Sequence, residues 1–514
     1  MEHRYRLLLI LSFLILGFIL RLNNLAKRSL WTDEFYTLFQ STGHGNDIKH
    51  FLDDFNKQNF PKLYTAQEYK GFLKNETGKG IKEVSEGVLN TDAHPPLYFW
   101  LMYFWMKFFA AGALPLRLFS VFMGLICIFL VYKVSQHLFD ENTAIFSALF
   151  LSISAFGVRF AQEGRSYSLL MALGLLSSFF ILRFERYKNN YDLWGFIIAN
   201  CLGIYTHYFY IFISIAQFLY FTITNRSNTL ILKRFSLAFL GSGVPFLPYF
   251  ILALRHKGSF QITEWAFGYP GIINKIYYLF VGFSRYLVMF DKYPKSLLIA
   301  LFILIFLFFY LAFFALKEMV KKYPKSFLFC LALFLIPILF IFSMDIVKGG
   351  VLLKQIRFWT FSFIGFILLA GYILHYIFSR NRFAAYFIML FMLISSFNVG
   401  GLEFGPSPKY ISFWINQEAE AKPSAVIVYN IRSIIFGQAY YLDDGVFLIP
   451  VSDTAQFDYA IKTLSNKVDK IFVVHHYHPT ESFLRDRTLL GEKNIFKLKA
   501  RIASDYINVS EFVK

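Results

Sequence analysis

The sequence predicts an α-helical membrane protein of many spans that ends in a small α/β domain outside the bilayer. Three observations carry this reading. Apolar residues make up 56% of the 514 and aromatic residues 20%, against 16% charged. The apolar residues fall in long runs parted by short polar clusters, unlike any soluble domain of this size. After residue 398 the composition turns ordinary, past the breakers Gly400-Gly401 and Gly405-Pro406-Ser407-Pro408.

A bilayer core about 30 Å thick takes about 20 mostly apolar residues per helical crossing. Stretches 297–316 and 358–378 reach that length without a charge. The first run, 7–20, follows Arg4 and Arg6 and is succeeded by Arg21-Leu22-Asn23-Asn24, not by a small-residue cleavage site, so it reads as a retained anchor. Basic clusters at Arg4/Arg6, 133–137, Arg183/Arg186/Lys188, Arg226/Lys233/Arg234, 317–325 and Arg380/Arg382 all fall on the cytoplasmic side for one set of crossings. These are 7–22, 114–136, 142–157, 166–182, 193–206, 208–224, 235–254, 297–316, 326–343, 357–378 and 383–397, about eleven in all.

Two short aromatic-rich stretches, 96–110 and 276–290, then lie as interfacial helices at the outer surface. The competing reading makes both of them short tilted spans. The outer face receives 23–113, the tight turn 158–165, Thr206-His207-Tyr208, 255–296, 344–356 and everything after about 398, while the inner face receives short basic turns. Chemistry is therefore expected on the extracytoplasmic side of a plasma (inner) membrane.

The division expected is a membrane domain over 1–398 and an α/β domain over 399–514. In the latter, 425–429, 446–449 and 470–474 read as buried strands, with helical patterns at 411–420, 454–465 and 481–490. The net charge of +18 is spread over loops with no basic helix interleaved with aromatics, which argues against a nucleic-acid partner. Cys127, Cys201 and Cys330 lie inside separate apolar runs and form neither a disulfide framework nor a metal site. No Gly-x-x-x-x-Gly-Lys-Ser/Thr loop occurs, and no Gly-x-Gly-x-x-Gly follows a strand, which disfavours a nucleotide sugar as direct substrate.

Polar residues that all face the outer compartment are the candidates for chemistry. Trp31-Thr32-Asp33-Glu34-Phe35-Tyr36 sets two adjacent carboxylates at the outer interface just after the first span, where ionisable groups are functional by default. A solvated loop with an aromatic belt residue is the bland alternative. His94-Pro95-Pro96-Leu97-Tyr98 opens the first interfacial helix: proline is an ordinary helix start, but His94 beside orphan N–H groups can hold a phosphate. Arg159, Gln162, Glu163, Arg165 and Tyr167 crowd the turn between two spans. Snorkelling accounts for one arginine there; Glu163 between Arg159 and Arg165 reads as a fixed pair or a substrate clamp.

His207, Arg255, His256, Lys348, Lys354 and Arg357 reach the same face. Each alone is an ordinary interface anchor. Together they run against the positive-inside trend and ask for an anionic partner such as a lipid phosphate.

Trp31-Thr32-Asp33-Glu34, His94-Pro95-Pro96-Leu97-Tyr98, Leu116-Arg117-Leu118-Phe119-Ser120 and Gln162-Glu163-Gly164-Arg165-Ser166-Tyr167, in this order and spacing, resemble the protein O-mannosyltransferase and aminoarabinose-transferase group of GT-C glycosyltransferases. The resemblance covers roughly residues 7–225. It implies a GT-C-like fold and transfer of a sugar, with inversion, from a polyprenyl-phosphate carrier to an acceptor hydroxyl of a lipid, glycan or protein. By the same resemblance Asp33 is the base, Glu34 its neighbour in the acidic motif, and Glu163 the second acidic position. Here that position reads Gln-Glu-Gly-Arg instead of an Asp-containing version.

Elementary chemistry agrees with that implication. An acceptor hydroxyl must lose its proton as it attacks, which a carboxylate in hydrogen-bond reach accepts. Cations around the phosphate, from among Arg165, His207, Arg255, His256 and Arg357, stabilise the charge that develops on it. Asp33, Glu34 and Glu163 also offer oxygen ligands for a divalent cation, but the basic side chains neutralise a phosphate without one, and the expectation is a site with no metal and no cofactor. The rival reading is a transporter or flippase of a lipid-linked anionic substrate, which would place charges on broken helices near mid-membrane and show paired repeats.

Overall fold

The computed structural model describes residues 3–50, 63–74, 78–92, 94–256, 268–289, 295–399, 408–420, 422–429, 435–476, 497–503 and 507–513. The chain divides into two compact units. One comprises residues 1–26, 88–102 and 116–402; the other comprises 27–87, 103–115 and 403–514.

The first unit is a helical bundle. Among the described residues seven helices are long and apolar enough to cross a membrane, eight if one bent pair counts as a single span. This is fewer than the eleven crossings expected, and length is the reason at two positions. Helices Asn190–Thr206 and Tyr210–Thr224 form where spans were expected. At 1.5 Å per residue they reach only about 26 Å and 23 Å. The interfacial candidates are the helices Leu97–Phe109 and Ile272–Leu287.

Helix Thr360–Arg380 is the axis of the bundle, with residues 360–374 buried without a break. It comes close to two neighbours because it carries glycine where they touch. A Cβ built on Gly365 would sit 2.4 Å from the Phe334 amide nitrogen and 2.6 Å from the Cys330 carbonyl, and one on Gly371 would sit 2.6 Å from the Ser147 Cα. Several polar side chains inside the bundle bond across helices, as a medium without water favours. Gln217 Nε2 donates to Ser177 and Ser178 at 2.8 and 3.0 Å, and Asn200 joins Ser242 and Ser214 at 2.6 Å each.

The expected straight span at 142–157 is instead two helices, Glu141–Ser152 and Ala155–Ala161, bent by 59° at the break. Ser154 starts the second by accepting the Gly157 N–H at 3.2 Å. The first is left with orphan carbonyls at its C-terminus. Arg21, fully buried at the end of the first span, supplies the donors: Nη2 to the Leu151 carbonyl at 3.1 Å and Nη1 to that of Ser152 at 3.3 Å. Gln162, the residue that ends Ala155–Ala161, returns the favour. Its Nε2 lies 3.0–3.1 Å from the carbonyls of Leu20, Arg21 and Asn23, the last turn of the first span. The end of the first span is thus capped from the end of Ala155–Ala161, and the end of Glu141–Ser152 from the first span.

The second unit is built on a six-stranded sheet. Its strands are β1 (Tyr64–Thr65), β2 (Ser424–Tyr429), β3 (Phe447–Val451), β4 (Lys470–His476), β5 (Lys497–Ala503) and β6 (Ile507–Val513), in the order β1-β3-β2-β4-β6-β5. The β3-β2-β4 centre is parallel and the flanks are antiparallel. Central parallel strands are covered on both faces, which is why β2 reads as the unbroken run Ala-Val-Ile-Val and is buried along it. Phe457, Ala460, Ile461 and Leu464 of helix Thr454–Leu464, which Asp453 caps, pack on Ile427, Ile449 and Ile471. Strands and helices expected at 425–429, 446–449, 470–474, 411–420 and 454–465 are present; the helix expected at 481–490 lies outside the described residues. Sequence reading missed β1, β5 and β6. Through β1, the segment that follows the first span joins the C-terminal sheet.

The glycine contact at the bundle axis yields a matched pair of expectations. Gly365→Ala forces a methyl onto a backbone and is expected to lower stability in detergent by about 1–3 kcal/mol. Gly241→Ala, whose Cβ would meet nothing within 4 Å in helix Thr229–Gly243, is expected to be neutral or stabilising by up to about 1 kcal/mol. Thermal unfolding of both purified variants measures the difference, and equal midpoints would remove Gly365 as a close-packing position.

Candidate functional site

Within the first unit, four polar residues from three separate segments converge ahead of the aromatic helix Leu97–Phe109. Asp92, buried, accepts the His94 backbone N–H at 3.0 Å and meets His94 Nδ1 at 2.6 Å. Arg165 Nη2 stands 3.5 Å from the same Nδ1. The ring of His207 lies edge-on to that of His94 with centroids 4.9 Å apart. Tyr249 closes another side, its hydroxyl donating to the His94 carbonyl at 3.4 Å.

Local structure explains each placement. Pro95 and Pro96 start the helix at 97 and leave Asp92 and His94 on the non-helical approach, where the Asp-x-His spacing lets one carboxylate take both the ring and the backbone of the histidine. Arg165 is presented by a tight turn in which its N–H donates to the Glu163 carbonyl at 2.7 Å. His207 ends helix Asn190–Thr206 in an extended conformation, and its Nδ1 accepts the Phe209 N–H at 3.1 Å. That bond makes Nδ1 an acceptor, so the ring's single proton is on Nε2 and the imidazole is neutral.

The electrostatics follow. Burial pushes the Asp92 carboxyl up, but His94 and Arg165 outweigh it and hold the group below the usual carboxylate range. Burial first, then His94, Arg165 and Arg357, keeps His207 well below an ordinary imidazole. The site therefore sets the Asp92 carboxylate and the Arg165 guanidinium beside two imidazoles, with Arg357 within electrostatic reach of His207.

The remaining expected residues are placed as follows. Glu163 is buried in the turn with Arg165. Arg159 is half-buried with its guanidinium 5.8 Å from the Phe160 ring, and Tyr167 is buried against the same ring at 5.2 Å. Tyr98 is core: its ring packs between Phe99 and Phe119. Arg357 lies half-buried on the short turn Ile356–Trp359, within electrostatic reach of His207. Arg255 and His256 are exposed at the end of helix Leu247–Arg255, where His256 Nδ1 turns back to the Leu252 carbonyl at 2.9 Å.

Asp33 and Glu34 belong to the second unit, in the first turn of helix Thr32–Ser41. The two neighbours differ. Glu34 is buried and its Oε2 accepts the Trp31 N–H at 3.3 Å, the carboxylate half of a capping box. Asp33 is half-buried and lies one residue nearer the helix start. Among the described residues no group of three or more His, Cys, Asp or Glu side chains is placed to hold a metal ion.

Sequence reading overlooked Asp92 and Tyr249. Tyr249 sits inside a predicted span with nothing to set it apart, but Asp92 two residues before His94 was a usable signal.

Residues 93–253, which include all of this cluster except Asp92 and Arg357, match the model of the dolichyl-phosphate-mannose-protein mannosyltransferase family. No curated protein matches the sequence. In fold the chain is similar to ArnT from Cupriavidus metallidurans bound to undecaprenyl phosphate, with a TM-score of 0.57 at 14% identity over 99% of this chain and 98% of that one. The apo form of that protein gives 0.55 at 13% identity, over 99% and 97%. The archaeal oligosaccharyltransferase AglB from Archaeoglobus fulgidus, in complex with an inhibitory peptide and a dolichol-phosphate, gives 0.51 at 12% identity, over 91% of this chain and 69% of that one. With the family match confined to residues 93–253 and a fold likeness running its whole length, the chain is a multi-pass helical membrane protein whose fold is similar to that of ArnT.

Proposed function

We propose that this protein transfers a sugar from a polyprenyl-phosphate carrier to an acceptor hydroxyl at the extracytoplasmic face of the membrane, with inversion at the anomeric carbon. The observation that carries the reading is the Asp92–His94–Arg165–His207 cluster, a group of polar side chains held by backbone geometry. The carriers bound by structural neighbours, undecaprenyl phosphate and dolichol-phosphate, support it.

The chemistry needs two things from the protein. Asp33 accepts the acceptor's proton as the new C1–O bond forms and the C1–O(phosphate) bond breaks. Arg165, His94 and Arg357 face the phosphate, whose charge grows from one negative unit in the diester to nearly two in the departing monoester. A single in-line displacement inverts C1. The isoprenoid tail stays in lipid, which is why the site stands on a membrane bundle. The identity of the sugar is set by contacts that a panel of prenyl-linked sugars would report.

Two outcomes are expected. Asp33→Asn should reduce transfer from a radiolabelled polyprenyl-phosphate sugar by about 10²–10⁴-fold with protein level unchanged; retained activity would remove Asp33 as base. For the side assignment, Asp443→Cys on an exposed turn of the second unit should react with an impermeant maleimide in intact cells, and protection until the cells are opened would place that unit in the cytoplasm.

A further inference from the structure

The segment that carries the acidic motif is held by residues that follow it by 380 to 411 positions, and both belong to the second unit. Three ties fix the approach to helix Thr32–Ser41. The Lys27 carbonyl accepts Lys409 Nζ at 2.7 Å, Ser29 Oγ accepts the Lys409 N–H at 3.2 Å, and the Leu30 N–H donates to the Tyr441 hydroxyl at 2.8 Å. Leu30 is fully buried, and a buried backbone donor is costly to leave unmade.

The helix itself docks by one face on helix Ile435–Tyr441. Phe35 and Phe39, one turn apart, set their rings edge-on to Tyr440 and Phe436, with centroids 6.0 and 4.6 Å apart. Gly437 leaves room for them, since a Cβ built there would sit 3.1 Å from the Phe35 ring. At about 100° per residue Asp33 lies about 200° round the helix from Phe35 and about 240° from Phe39, on the side turned away from that contact. Burial agrees: Phe35 and Phe39 are buried, whereas Thr32, Asp33 and Tyr36 are half-buried.

We infer that helix Ile435–Tyr441 positions the acidic motif, with Tyr441 and Gly437 as positioning residues that fix the rotation and height at which helix Thr32–Ser41 presents Asp33. The inference rests on the reading of Asp33 as base and adds to it what holds that base in register. Proton transfer requires the carboxylate within hydrogen-bond reach of the attacking hydroxyl, and a misplacement of about 1 Å costs on the order of 10²-fold in rate. The first span anchors residues 27–41 only from one side; the ties to Lys409 and Tyr441 and the aromatic contact supply the other. A domain that only bound the acceptor would have no need to grip this helix.

Hydrogen exchange and steady-state kinetics of the full-length protein in detergent test this together. In Tyr441→Phe the amides of residues 30–36 should exchange about 3–10-fold faster than in the wild type, while strand β2 is unchanged. With the radiolabelled prenyl-phosphate sugar that the wild type transfers fastest, kcat should fall about 10-fold and KM for that donor should stay within about twofold. Gly437→Val, which presses a side chain against Phe35, should act in the same direction. Where Tyr441→Phe does not accumulate, Lys409→Gln carries the same expectations, because it removes the cation held by the Lys27 carbonyl. Unchanged exchange at 30–36 overturns the tie. Faster exchange with wild-type kcat, or a rise in KM alone, overturns the positioning role. A wild type inert toward every prenyl-linked sugar, or full transfer by Asp33→Asn, removes the base reading and the catalytic purpose of the tie with it, and the exchange comparison, which needs no chemistry, separates that outcome from failure of the tie.

Discussion

Side chains of the first span and of the bent helix pair cap helix ends in the membrane bundle. The span that begins the chain ends in carbonyls that Gln162 satisfies, and the helix that breaks at Ser152 ends in carbonyls that Arg21 satisfies. In lipid an orphan carbonyl costs several kcal/mol, so neither helix can stop where it does without the other. The arrangement also needs room: a Cβ on Gly124 would lie 3.0 Å from Arg21 Nε. Because Glu163 and Arg165 follow Gln162 directly, the cap that ends one helix sets where the polar turn starts. The bend of 59° is thus the device that brings a turn with charged residues to a fixed place on the bundle.

From that turn the site is assembled by groups that are themselves held. Arg165 is set by a backbone bond to Glu163, His94 by Asp92 at two points, His207 by the Phe209 N–H. An anion entering such a place meets dipoles and charges already oriented, and little reorganisation is required when charge develops on it. The two histidines are not equivalent. One has its acceptor nitrogen occupied by the chain and is buried to neutrality; the other offers an open nitrogen backed by a carboxylate. Residue type alone makes them interchangeable, and hydrogen bonding separates them.

Much of this was legible in the sequence. Long apolar runs mark helices regardless of how they pack, and His94, Glu163, Arg165 and His207 stood out because polar residues between such runs are few. The break at Ser152 was not legible: residues 142–157 are apolar throughout, and the bend depends on an arginine more than a hundred positions earlier. Asp92 is a single carboxylate in a polar loop, set apart only by its spacing two residues before His94. Strands β5 and β6 escaped because residues 497–513 mix Lys, Arg, Asp and Glu with apolar positions and hold no unbroken apolar run.

The acidic motif shows how far residue type can carry an assignment. Asp33 and Glu34 are both carboxylates, adjacent, at the start of one helix, where the helix dipole favours negative charge. Geometry then divides the labour. A glutamate at the third helical position reaches back to the N–H that precedes the helix, and Glu34 does so. A carboxylate occupied by a buried backbone donor is poorly suited to take a proton, because protonation would weaken the cap it provides. Asp33 has a shorter side chain, too short for that reach, and remains part-exposed. Two neighbours of the same chemical type thus differ in what the backbone asks of them, and the capping requirement falls on Glu34.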